Sequence, residues 1–412
     1  MIEKAGRYSI IFIAILGMAV FIPKFFWMVF EKKIKEPFIV YSEIKGDFLI
    51  LKREDGKTIR RDTKGGFYSR NEYEAALPFM HFRQLAANGT LPDSVAGIET
   101  NVHDLRRESF TNLIRPRDIN MPSINLYPLF ESESDRVMLE VPEDFFRIGE
   151  DGIEFIHADS NKADENKSRI FTLAMKKQGF VFPARLISGL MTKRKKSDEG
   201  YFITDSTGQL YHLKMEKGAP YCRNLMLPEE INLRHIMCVD EDSREFYAYL
   251  ITTDQLVYIL KTDTYELVKL PIEDYVPDVH SMRITANILY KTVALIGKDH
   301  VVAYALDRNY NLLNRYEEKW PGHWKSNAGK VASAIFPFTI KLKSKTSSFV
   351  IFNLVLGNWR SCLVVNLLLS VVMILNSKRK KCRLFSIAFD LIIVLGTGLF
   401  GFLAVNIFPN RF

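Results

Sequence analysis

Near its C-terminal end the chain carries a carboxylate where hydrocarbon is expected. From Trp359 it reads WRSCLVVNLLLSVVMILN, then the basic stretch SKRKKCR, then LFSIAFDLIIVLGTGLFGFLAVNIF. Asp390 lies in the second apolar run, about 10 Å of helix beyond Arg383. An unpaired carboxylate at that depth is costly, so Asp390 needs a partner. Ser370 sits at similar depth on the preceding run and Asn366 about one turn deeper. Either side chain can hydrogen-bond to Asp390, and a base from another membrane protein is a third source. Three roles stay open: a snorkelling or helix-pairing carboxylate, a proton or ion relay, or a contact with another membrane subunit. Gly398 and Gly401 in GTGLFG permit close helix approach, as a weak form of the small-residue pattern. Asp390, Asn366, Ser370, Gly398 and Gly401 are therefore the candidate membrane-helix contact.

Elsewhere the chemistry is thin. No GxSxG elbow, HExxH pair or zinc-type Cys/His spacing is present. Gly322 to Lys330, GHWKSNAGK, resembles a phosphate loop but has too many residues between its glycines, and Val331 stands where Ser or Thr would hold magnesium. ADSNKADEN lacks the Gly and final Glu of a calcium loop and reads as a helix start. His212 and His300 fall in strands and read as packed or solvated. Lys193 to Lys196, KRKK, reads as a solvated turn, with a phosphate or headgroup contact as the alternative. Cys222 and Cys238 read as two separate thiols, though pairing is open. No catalytic, cofactor-binding or metal-ligating residue is assigned. The expectation is a non-enzymatic protein without a cofactor.

The elements that must position this polar set are membrane helices. Tyr8 to Phe30 is a 23-residue apolar stretch, about 34 Å as a helix, with Pro23 set to kink it. It lacks a small-x-small cleavage site and reads as an uncleaved anchor. Residues 358–376 and 384–408 give two further transmembrane helices around a basic loop at 377–383. Lys378, Arg379, Lys380, Lys381 and Arg383 in that loop favour a cytoplasmic placement and headgroup contact. Lys24, Lys32, Lys33, Lys35, Lys341, Lys343, Lys345 and Arg360 then fall outside, against the loop's five with Lys4 and Arg7 inside, so the raw count is nearly tied and the short loop carries more weight. Residues 31–345 and the tail at 409–412 then lie outside, and residues 346–357 lie on the bilayer surface.

The net charge of +8 sits largely beside apolar runs, which argues for lipid and against nucleic acid. Aromatic content of 12% suits strands and membrane interfaces. Asp55-Gly56 between alternating apolar residues predicts a hairpin. Ser69 to Ala87 predicts a helix with a Ser69/Glu72 capping box, broken at Pro78. Asn161 to Gln178 predicts a second helix. From Gly200 to Glu318 a repeat emerges. Tyr201, Gln209 and Leu210 recur as Tyr247, Gln255 and Leu256. Leu250, Ile251, Asp254 and Leu256 recur as Leu295, Ile296, Asp299 and Val301, and Tyr265 and Leu267 as Tyr310 and Leu312. A period near 45 with several strands per unit fits propeller blades or stacked hairpins, and a β-sandwich stays open. The fold class is an integral membrane protein: a mainly β soluble domain, propeller-like or of stacked β-hairpins with a few helices, flanked by three transmembrane helices.

YPLFESESDRVMLEVPEDFFRI, with LPDSVAGI before it, EGYFITDSTGQLYHLKMEKGAPYC after it and FDLIIVLGTGLFGFLAVNIFP at the end, resembles a family of membrane-anchored proteins of Bacteroides-type bacteria, a domain of unknown function. Its genes lie beside those of ABC-transporter ATPases and permeases. The resemblance implies an inner-membrane accessory subunit of such a transporter, with a periplasmic domain that recognises a partner or cargo. It brings no site residues. A membrane-anchored ligand sensor or binding protein, and a hydrolase with an unrecognised site, are the alternatives.

Overall fold

The computed structural model describes residues 2–30, 36–54, 56–122, 124–135, 138–320, 326–342, 352–379 and 387–409. The chain divides into two compact units. One is Lys35–Glu318; the other joins Met1–Ile34 to Lys319–Phe412.

Among its described residues the Lys35–Glu318 unit is mostly β, built as five larger antiparallel sheets in chain order and one two-stranded pair, Ser94–Val95 with Ile98–Glu99. The first holds Phe38–Ser42, Asp47–Glu54 and Lys57–Asp62. Asp55 lies outside the described residues; Glu54 pairs with Lys57 across the expected hairpin turn, where Gly56 takes φ +81°. Only a residue without a Cβ adopts that region cheaply. The helix after Ser69 has its capping box, but Pro78 limits it to Arg70–Ala75, and a second short helix, Phe82–Ala87, follows. Tyr73 and Leu77 pack on Val40 and Leu49 of the first sheet.

The second sheet pairs Tyr127–Pro128, Asp144–Ile148, Ile153–His157 and Ala163–Asp164, and is backed by helix Glu165–Lys177. The next three carry the 45-residue repeat, one meander per copy. They are Leu186–Gly189 to Ala219–Asn224, Leu233–Cys238 to Leu267–Lys269, and Ser281–Ala286 to Leu312–Lys319. The repeat extends to the backbone: Tyr265 and Tyr310, one offset apart, both take positive φ, 58° and 65°. Phe110–Ile114 adds a fifth strand beside Ser281–Ala286.

Neighbouring sheets bury their faces on one another. Phe146, Phe155, Tyr201 and Leu213 join the second sheet to the third; Phe202, Leu210, Ile236 and Leu250 join the third to the fourth; Ile259, Tyr249, Val293 and Tyr304 join the fourth to the fifth. Among the described residues no sheet closes into a barrel, and the set does not close into a propeller. The periodicity is that of stacked meanders, the other reading of the same pattern.

In the second unit, two helices are long and apolar enough to cross a membrane, Ala5–Phe30 and Trp359–Ser377, within helices Ile2–Phe30 and Trp359–Arg379. The expected third is not a single helix. Residues 384–408 break at Gly398 into Ala388–Thr397 and Leu399–Ile407. Gly398 takes φ +58° and ψ −129°, which no helix continues through. Helix Asn327–Ile335 packs beside the start of Trp359–Arg379. The described part of the expected surface segment is a strand, Asn353–Leu356, paired with Phe338–Lys341. Ile11, Ile15 and Ala19 form a core with Met373, Val394, Phe400 and Ala404.

Candidate functional site

The buried charge that the sequence left without a partner meets an arginine from the other end of the chain. Arg7 Nη1 and Nη2 donate to Asp390 Oδ1 and Oδ2 at 2.9 and 2.8 Å. The side chains are 8% and 2% exposed, so the pair is shielded from water. The planar guanidinium fits the carboxylate as a two-pronged fork. Its third donor, Nε, reaches the carbonyl of Phe408 at 2.9 Å. Asp390 lies in the first turn of Ala388–Thr397, where the helix dipole favours an anion. Phe408 follows the last turn of Leu399–Ile407, where carbonyls lack helical partners. One cation therefore serves both ends of the broken segment. Tyr8 packs edge-on against Phe389 beside it, with ring centres 4.7 Å apart.

Asn366 and Ser370 do not take Asp390. They serve the break instead. Asn366 Nδ2 donates to the carbonyl of Leu395 at 2.8 Å, one of the carbonyls the break leaves free. Ser370 Oγ donates to the carbonyl of Asn366 at 2.8 Å. A Cβ on Gly398 would collide with Asn366 Oδ1 and lie 3.3 Å from Pro337 Cγ. A Cβ on Gly401 would strike Thr397 Oγ1 and sit 2.9 Å from the carbonyl of Ile393. The two short helices thus touch through the glycine face. Four of the five sequence candidates gather at the tip of this hairpin, and Asp390 sits at its base. Arg7 is the member that sequence reasoning passed over. Its trace was present: one strong cation at the threshold of one apolar run, one carboxylate inside another.

Of the basic loop, Lys378 and Arg379 end helix Trp359–Arg379, while Lys380, Lys381, Cys382 and Arg383 lie outside the described residues.

The β unit holds other polar clusters. His212 is fully buried and stacks on Phe202 with ring centres 4.2 Å apart. Its Nε2 faces the carbonyl of Glu199 at 2.6 Å and must donate there, so Nδ1 accepts from Tyr265 Oη at 2.9 Å. Tyr265 Oη in turn meets Tyr221 Oη at 3.3 Å. Burial, with the cations of Lys214 and Arg223 nearby, holds the imidazole neutral and pushes its pKa down to about 3. His280 and His300 face each other, Nε2 to Nε2, at 3.0 Å. The amide of Val276 donates to His280 Nδ1, so His280 is the donor of that pair. Among the described residues no group of three His, Cys, Asp or Glu side chains could hold a metal ion.

The KRKK turn is less solvated than its composition promised. Lys195 is buried: it is ion-paired with Asp198, donates to the carbonyl of Leu190 at 2.8 Å, and lies 4.2 Å from the centre of the Phe130 ring. Cys222 and Cys238 are free thiols, and burial pushes the first up to about 12 and the second to about 11. An open cleft of about 840 Å³ lies between the second and third sheets and helix Glu165–Lys177, with Tyr127, Arg147, Ser168, Arg169, Thr172 and Arg185 on its walls.

No protein of curated function matches the chain. Residues 38–306, which run from the first strand of the β unit to the third strand of its fifth sheet, match a family described as a domain of unknown function, DUF4857. That match takes in four of the five larger sheets whole, and more than half of the chain; the protein belongs to the DUF4857 family.

Proposed function

We propose that this protein is a non-enzymatic, membrane-anchored accessory subunit whose β-rich domain recognises a partner or cargo outside the cytoplasm. The observation that carries the reading is the Arg7–Asp390 pair. The 26-residue apolar helix Ala5–Phe30 is joined to the short apolar helix Ala388–Thr397 through a buried ion pair. Charged groups inside a bilayer need such neutralisation. The domain of stacked meanders offers broad, rigid surface and suits binding more than chemistry. The ABC-type transporter as partner rests on the family resemblance in the sequence, and the periplasmic side rests on the basic loop.

The test is purification from native membranes in mild detergent. Co-purification of an ATPase and a permease in stoichiometric amounts is the expected result; recovery of the chain alone would remove the transporter from the proposal. The cleft of about 840 Å³ favours a second reading, a membrane-anchored ligand-binding protein or sensor. Under that reading a small molecule raises the melting temperature of the domain, and Arg185→Ala with Arg169→Ala abolishes the shift.

A further inference from the structure

We propose that residues 388–408 form a re-entrant hairpin, which enters the bilayer and leaves it on the side of the basic loop. The chain then crosses twice, not three times. This rests on the membrane-anchor reading above and adds the path of the last segment to it.

Length comes first. The two helices have 10 and 9 residues, about 15 and 14 Å, each roughly half of the ~30 Å hydrocarbon layer. Joined end to end they would span it. In that case Asp390 and the carbonyl of Phe408 would stand about 27 Å apart. Yet one guanidinium bonds both, at distances of 2.8 to 2.9 Å. The segment therefore doubles back, and Gly401 lies against the carbonyl of Ile393, as only an antiparallel pair allows.

The tip is built for burial. A chain reversal inside hydrocarbon leaves backbone groups unpaired, which is tolerated only where protein covers them. Asn366 covers the carbonyl of Leu395, and Pro337 and Asn366 close on Gly398. Phe400 stacks on Phe336 with planes 1° apart, which seals the other side of the turn. The base is built for the interface: Arg7 stands near the start of the N-terminal helix, and both hairpin ends meet it there. Residues beyond Phe408 then lie with the basic loop. Arg411 joins its positive charge to that side instead of opposing it, in agreement with the bias of short basic segments.

The experiment uses an impermeant maleimide on intact spheroplasts and inverted vesicles carrying the full chain. Pro409→Cys is placed in a Cys382→Ser background, with Cys382 itself and Lys57→Cys as the two reference sides. Pro409→Cys is expected to react like Cys382, at least tenfold faster in inverted vesicles than in spheroplasts, while Lys57→Cys shows the reverse. Labelling of Pro409→Cys from the Lys57 side overturns the hairpin. A protease site appended after Phe412 gives the same readout should the Pro409 variant not accumulate. Alkaline carbonate separates the two claims. A chain stripped from the membrane sinks the anchor reading and the hairpin together; a chain that stays but labels at 409 from the Lys57 side sinks the hairpin alone.

Discussion

Arg7 and Asp390 are each tolerable only because of the other. Desolvation of a lone ion costs several kcal/mol, and removal of one partner from a buried pair costs on the order of 3–5 kcal/mol. Arg7→Ala and Asp390→Ala should each lower stability in detergent by about that much. Arg7→Met with Asp390→Leu should cost less than either, because no charge is left uncompensated. Unfolding followed by tryptophan fluorescence measures this; a double variant as unstable as the singles would show that shape, not charge, holds the site. In the β unit, Glu43 accepts from Asn287 through one oxygen, while its other oxygen is buried without a partner. Burial raises its pKa from 4.5 to about 7. The folded chain therefore keeps a proton that the unfolded chain gives up. That contribution is full below pH 4.5 and lost as pH rises through 7. His212 works the other way, with stability full above 6.5 and lost as pH falls toward about 3. Glu43→Gln should flatten the upper side of the profile, with a gain on the order of 2 kcal/mol at pH 8. Denaturant midpoints between pH 5 and 8 check it, and parallel profiles for the two proteins would rule it out.

At the level of elements, Gly398 is a demanding backbone position. A β-branched side chain there must adopt positive φ and also displace Asn366. Gly398→Val should lower the melting temperature of the detergent-solubilised protein by several degrees, whereas Gly396→Ala, which meets nothing within 4 Å, should leave it unchanged. Equal behaviour of the two variants would mean that the turn is not where the cost lies. Local pattern makes some elements legible in the sequence: the Asp55-Gly56 hairpin, the Ser69 capping box, and the meanders that repeat from Tyr201 to Tyr247 and on to Leu295. Helix Glu165–Lys177 falls inside the predicted 161–178. What stays hidden depends on distance along the chain. Phe110–Ile114 completes a sheet whose neighbour begins at Ser281, so its partner is not visible from its own polar surroundings. Arg7 and Asp390 are 383 residues apart. The break at Gly398 is hidden for another reason: apolar residues on both sides conceal a reversal when every face is hydrophobic.

For the whole molecule, the two units have separate cores, and the β unit runs unbroken from Lys35 to Glu318. A fragment of residues 36–318 should fold without detergent, giving a strand-dominated circular dichroism spectrum and a cooperative melt; a broad, non-cooperative transition would mean that it needs the helical unit. The ion pair that unites the first helix with the last two also puts a constraint on biosynthesis. Arg7 leaves the ribosome 383 residues ahead of Asp390, and at 5–20 residues per second that stretch takes on the order of 20–80 s to translate. Through that interval the cation on the N-terminal helix has no matching carboxylate. The helical unit closes only once residues 388–408 have been made, and a chain cut short before them keeps an arginine without its carboxylate.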